Sequence, residues 1–326
     1  MKFLILLTVL FSFFNASADI ALYTDRPTAR MQVVADEFLK STKVKVNILE
    51  LPTPALTEQL KEEGASSPAD VIFVKDSIYL NKLVKEGRFA KMKSSVIRNS
   101  VDASMFTDYY TAITYRARTL VYESSLDVSN ITTYADLAKA DYAGTLCLRT
   151  AKSSYNEALA ATLINRYGYN ETKTMLVGWL NNMVDPAILY PNDTDIIKDI
   201  ASGKCALGIT NSYYLGLELV KNPALPVSIK FLDQNKGGVH TNGMGAGVSA
   251  TSKQPAVAQQ FIEFMLSEGI QKFLTEQQMD FPANKNVALP STIKSWNSFK
   301  VNSQNWSTTT DSAQKAVQLF DEIGYL

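Results

Sequence analysis

The sequence predicts a two-lobed α/β protein, and three observations carry that prediction. Short apolar runs alternate with amphipathic helical patterns from Ile20 onward, and the same alternation restarts near Thr145. The chain of 326 residues is longer than one hydrophobic core comfortably serves. Between the two blocks lies a strand-like stretch, Thr111 to Glu123, long enough to cross from one body to the other.

The elements follow in order. Residues 1–18 hold one lysine, an apolar run to Phe14, and small residues at Ala16 and Ala18. That pattern predicts a secretory signal peptide cut after Ala18. Its apolar run is too short to span a bilayer, so a soluble, exported protein is expected. Ile20 to Tyr23 then reads as a strand, Met31 to Leu39 as a helix capped by Thr28, and Val44 to Leu49 as a second strand. A helix around Thr57 to Glu63 leads through Gly64-Ala65-Ser66-Ser67-Pro68 into a third strand, Asp70 to Val74. Such alternation implies a mostly parallel sheet that binds ligands beyond the carboxyl ends of its strands.

In the second block, Thr145 to Arg149 and Ala206 to Thr210 read as strands, Ser154 to Tyr167 and Asp193 to Ser202 as helices. The glycine-rich segment Asn235 to Gly247 reads as a return crossing. Helical patterns close the chain at Ala256 to Glu276 and Ser312 to Ile323.

Composition excludes several classes of function. Thirty-two acidic residues balance 32 basic ones with no single-sign block, which argues against a nucleic-acid or polybasic membrane binder. The only histidine, His240, rules out histidine-rich zinc or copper sites. H-E-x-x-H, G-x-S-x-G and C-x-x-C motifs are absent, and no nucleophile and base set is recognisable, so an enzyme is not expected. Gly245-Ala246-Gly247-Val248-Ser249-Ala250 fits a dinucleotide pattern, but a polar run precedes it where a buried strand is required. Cys147 and Cys205, the only cysteines, are expected to pair in an oxidising compartment, two free thiols being the alternative.

Three stretches are candidates for chemistry. Ser154 and Glu157 have capping-box spacing, so a helix is expected to start there. Its outward N–H groups would form an anion site with Tyr155 at the mouth. Tyr213 and Tyr214 follow a strand and open a helix, where neighbouring side chains diverge by about 100° and can meet at one cleft. Clustered phenols suit a hard, highly charged cation, since only such an ion readily deprotonates them near neutral pH. Ferric iron is the leading candidate; stacking on an organic ligand and simple packing are the alternatives. Arg116 and Arg118 lie two apart in the crossing strand, hence on one face, placed either to clamp an anion or to form structural ion pairs.

The chain resembles a known family. The carriers are L-Y-T-D-R (Leu22 to Arg26), E-G-A-S-S-P-A-D-V (Glu63 to Val71), Y-R-A-R-T-L-V-Y (Tyr115 to Tyr122) and C-L-R-T-A-K-S-S-Y-N-E-A-L (Cys147 to Leu159). N-D-T-D-I-I-K-D-I-A-S-G-K-C (Asn192 to Cys205), T-N-S-Y-Y-L-G (Thr210 to Gly216), G-A-G-V-S (Gly245 to Ser249) and F-P-A-N (Phe281 to Asn284) complete the set. These are similar to the periplasmic ferric-iron-binding proteins of ABC transporters, extracellular solute-binding proteins with a transferrin-like bilobal fold.

The resemblance implies a type II periplasmic-binding-protein fold, each lobe a mixed sheet flanked by helices, joined by crossing strands. Lobe 1 would comprise residues 19–117 and about 242–292, lobe 2 residues 118–241, and residues 293–326 a helical segment packing on both. It further implies a monomer, soluble in the periplasm, that binds one ferric ion and hands it to an inner-membrane permease. Tyr155, Tyr213 and Tyr214 would be the phenolate ligands. Arg116 would face a synergistic anion such as carbonate, with Arg26, Arg118 and Ser154 as further anion-site candidates.

Relatives often carry histidine and tyrosine directly after the arginine of the first strand; here those positions are Pro27 and Thr28. The expected site is therefore three tyrosines completed by an anion or water, with Tyr23 as a substitute donor. The alternative is the same fold holding another cargo, such as a polyamine, thiamine or a phosphorylated compound.

Overall fold

The computed structural model describes residues 19–326, so the expected signal peptide lies outside the described residues. The strands are β1 (Ile20–Thr24), β2 (Val46–Glu50), β3 (Val71–Val74), β4 (Thr111–Glu123), β5 (Leu146–Cys147), β6 (Leu207–Asn211), β7 (Val227–Lys230), β8 (Thr241–Val248) and β9 (Phe281–Pro282). The helices are α1 (Thr28–Thr42), α2 (Thr53–Glu63), α3 (Ser77–Lys85), α4 (Ser95–Ser100), α5 (Ser154–Tyr167), α6 (Tyr169–Asn181), α7 (Asp193–Ala201), α8 (Ser212–Lys221), α9 (Pro255–Met265), α10 (Glu268–Gln278) and α11 (Thr309–Ile323).

β1 pairs in parallel with β2 and β3, as helical crossovers require, whereas β8 runs antiparallel to both β3 and β4. The sheet path is β2-β1-β3-β8-β4-β6-β5, with β7 and β9 also on β4. β4 does what its length predicts. Residues 111–117 pair with β8, residues 118–122 with β6, so the partner changes between Ala117 and Arg118.

Two hydrophobic cores flank this switch. One gathers Ile20, Leu22, Phe38, Phe73, Leu80 and Phe261; the other gathers Leu120, Leu148, Leu159, Ile196, Leu207 and Leu215. The C-terminal segment seals both, Trp306 entering the first and Ile293, Trp296, Leu319 and Phe320 the second. Met279 and Phe281 also join the second core.

The glycines of β8 are there for close approach. A Cβ at Gly243 would stand 2.2 Å from the Thr114 carbonyl oxygen, and one at Gly247 would stand 2.4 Å from that of Tyr109. This strand is buried throughout and pairs with β3 and with residues 111–117 of β4, so its glycines lie inside a sheet.

Local expectations need correction at several points. α1 begins at Thr28, not after it: Pro27 is the N-cap, and the Thr28 N–H donates to the Glu50 carboxylate at 2.6 Å. Ser153, not Ser154, caps α5, its hydroxyl accepting the Tyr155 N–H at 3.3 Å. β5 is shorter than expected because Arg149 makes only an isolated bridge, to Tyr190. The stretch read as helical from Ala256 to Glu276 is two helices, α9 and α10. Cys147 and Cys205 are disulfide-bonded across 58 residues, and the bridge ties β5 to the turn after α7.

Candidate functional site

β6 ends at Asn211, and Tyr213 and Tyr214 occupy the first turn of α8. Three contacts fix that turn. The Asn211 N–H donates to Asp193 Oδ2 at 2.9 Å, and the Ala117 N–H donates to the Ser212 hydroxyl at 3.2 Å. Leu215 and Gly216 are buried, and a Cβ at Gly216 would fall 2.5 Å from that of Met279. Tyr213 and Tyr214 are both half-buried there, Tyr214 packing against the second core. Their ring centres lie 4.1 Å apart with planes inclined by 29°.

Tyr155 approaches from α5. The guanidinium carbon of Arg116 stands 5.1 Å from its ring centre and that of Arg149 5.2 Å, both in cation–π range. Burial pushes the Tyr213 phenol well above its ordinary value, the neighbouring phenols of Tyr155 and Tyr214 push the same way, and Arg116 opposes them. Burial lowers the Arg149 pKa, but the neighbouring Asp193 and Tyr214 raise it on balance. Three phenols and two guanidinium groups therefore meet at one place. The Nε atoms of Arg116 and Arg149 are buried without a hydrogen-bond partner among the described residues.

Arg116 reaches the first core through the Lys75 carbonyl, to which Nη2 donates at 3.0 Å, and stands 3.9 Å from Asp76 Oδ2. Arg118 goes elsewhere. It donates from Nε to Asn156 Oδ1 at 2.9 Å and from Nη1 to Asp193 Oδ2 at 2.8 Å, and is 1% exposed. This corrects the anion-site candidacy of Arg118. The two arginines share a strand face, but the strand passes from one core to the other between them.

Arg26 pairs with Asp25 at 2.9 Å and approaches the Met244 sulfur at 3.7 Å. The Ser154 hydroxyl donates to Asp76 Oδ2 at 3.5 Å. Tyr23 is no substitute donor, because its hydroxyl is bonded to Glu63 at 2.8 Å within the first core. His240 is buried beside Thr162, 2.8 Å from Nδ1 to the hydroxyl, and burial, with the fields of Arg118 and Arg166, pulls its pKa down to about 3.

Arg149, Asp193, Asp76 and Asp280 were not anticipated as site residues. Asp193 is fully buried and bridges Arg118, Arg149 and the backbone just before the tyrosine pair. Asp280 lies near Arg116 with its carboxyl pushed up to about 6 by burial, against the pull of Arg116 and a Thr114 hydroxyl that donates at 3.0 Å. No group of three or more His, Cys, Asp or Glu side chains able to hold a metal occurs among the described residues.

Two packed α/β cores joined by crossing strands, with polar side chains of both meeting between them, define a periplasmic-binding-protein fold. Over residues 21–272 the chain matches the model of the bacterial extracellular solute-binding proteins. It belongs to that family, whose members are solute-binding transport proteins. Iron uptake protein A1 of Synechocystis sp. is 29% identical over 316 residues, covering 94% of this chain and 87% of that one. The structure of a Trichodesmium protein (IdiA, FutA) in complex with iron and citrate ligands is 31% identical and superposes with a TM-score of 0.88, covering 95% of this chain and 100% of that one. A ferric binding protein from Campylobacter jejuni is 30% identical with a TM-score of 0.82, covering 94% of this chain and 100% of that one. No helix among the described residues is long and apolar enough to cross a membrane.

Proposed function

We propose that this chain is the periplasmic substrate-binding component of an iron ABC transporter. It holds one ferric ion through the phenolates of Tyr155, Tyr213 and Tyr214 and delivers it, as a monomer, to an inner-membrane permease. The observation that carries the reading is the meeting of those three phenols beside Arg116 and Arg149. The relatives named for iron uptake and ferric binding support it.

Residues 19–117 with about 242–292 form one lobe in this reading, residues 118–241 the other, and residues 293–326 pack on both. The two cores support that division, although Met279 and Phe281 lean toward the second. Ferric iron is a hard cation that displaces phenolic protons, and three phenolates neutralise its charge. Its remaining coordination positions go to a small anion, carbonate or a carboxylate, faced by Arg116, with Arg149 beside it. Both guanidinium groups offset the negative charge that phenolates and anion bring together.

Titration with ferric iron tests this. A visible phenolate-to-iron charge-transfer band should grow to saturation and fade in Tyr213→Phe and Tyr214→Phe. A colourless mixture at saturating iron would overturn the reading.

A further inference from the structure

We infer that Asp76 is the residue through which the first core locks onto the tyrosine site, without itself touching the cargo; the inference rests on the proposed closure over a ferric ion. Asp76 lies between β3 and α3 and is 0% exposed. Its two oxygens do different work. Oδ1 caps α3 by accepting the Ile78 N–H at 2.9 Å, an ordinary structural task. Oδ2 has one partner from the second core, the Ser154 hydroxyl that donates to it at 3.5 Å; on its own side it accepts from Asn242 Nδ2 at 3.1 Å and stands 3.9 Å from Arg116 Nη2.

These partners place Asp76 one step from the phenols. Ser154 immediately precedes Tyr155, and Arg116 lies against the Tyr155 ring. A buried carboxylate is stable only when its oxygens are satisfied, so separating the cores removes one of its donors and changes the field around Arg116. Pro27 and Thr28 bring no donor group to the site, the Thr28 N–H being taken by Glu50. The first core thus grips α5 through the contact of Asp76 with Ser154, while Arg116 links Asp76 to the Tyr155 ring.

The test uses the full mature chain as wild type, Ser154→Ala and Asp76→Asn, loaded from ferric citrate. Iron transfer to a competing chelator is followed in the charge-transfer band, and small-angle scattering reports the radius of gyration with and without iron. Both variants should keep the position of the band, release iron about fivefold faster and scatter as more open particles. Release within twofold of wild type, with unchanged scattering, overturns the inference while leaving ferric binding intact. Should wild type take up no iron, the ferric reading falls on its own, and scattering of the iron-free proteins decides: wider variants support the lock, identical profiles refute it. Ser154 caps no helix, so Ser154→Ala decides the matter if Asp76→Asn unfolds.

Discussion

Tyr213 and Tyr214, neighbours in the chain, are stacked neighbours in space, their ring centres 4.1 Å apart at the start of α8. The chain's other tyrosine pair shows what adjacency alone is worth. Tyr110 is buried in the first core with its hydroxyl donating to Asn81, and Tyr109 lies half-buried against that core. Only the pair that follows β6 meets a third phenol.

That meeting makes ferric binding a proton-releasing event. Tyr213 is held protonated at neutral pH by burial and by its phenolic neighbours, so the metal must displace its proton. Loading in weakly buffered solution should release up to three protons per iron, one from each phenol. Affinity should fall as pH falls, because protons compete for the same oxygens. A pH-stat titration that finds no release would contradict phenolate ligation.

Asp193 should be the most costly single side chain to remove near the site. It is fully buried and answers Arg118, Arg149 and the Asn211 N–H together. Asp193→Ala leaves two guanidinium groups without their carboxylate and should destabilise the fold by about 3–5 kcal/mol in urea unfolding. Arg149 loses its anchor as well, so ferric affinity of the folded fraction should fall.

His240 predicts a pH dependence of stability whose sign follows from its burial. Its folded-state pKa, about 3, lies below the ordinary histidine value of 6.5. The neutral ring therefore stabilises the fold fully above pH 6.5, and that contribution is lost as pH falls from 6.5 toward 3. Between those limits it contributes a slope of up to about 1.4 kcal/mol per pH unit. Asp280, raised to about 6, works in the opposite direction over part of the range. The check is therefore a difference: His240→Gln should lower stability at pH 7 yet lose less of it on acidification than wild type, in melts at matched ionic strength.

The disulfide closes a loop with a sequence separation of 58 between its cysteines. In the chain-entropy model such a link is worth about 4 kcal/mol. The double variant Cys147→Ala, Cys205→Ala should unfold at correspondingly lower denaturant while still binding iron, since neither sulfur touches a tyrosine of the site.

Much of this was legible in the sequence because it is written in local periodicity. β4 and α5 have the bounds that alternation and helical spacing predict, Thr111–Glu123 and Ser154–Tyr167. The grouping of Tyr155 with Tyr213 and Tyr214 came from motif resemblance, for no local rule links residues that far apart. What escaped were long-range polar contacts. Spacing places Arg116 and Arg118 on one face but does not reveal that their strand changes partners at Ala117. Arg149 stood in the quoted stretch before α5, and only the fold brings it to Tyr214. Asp193 reads as the first residue of a helix and Asp76 lies in no expected element; their tasks at the site depend on partners dozens of residues away.

The central claim is that three phenolate oxygens hold the cargo. It is tested most directly by iron bound per chain, by elemental analysis after removal of excess ferric citrate, for wild type, each single Tyr→Phe variant and the triple variant at positions 155, 213 and 214. The account predicts one iron per chain in wild type, weakened retention in every single variant and none in the triple variant. A triple variant that keeps its iron, or a wild type that never acquires any, would contradict it.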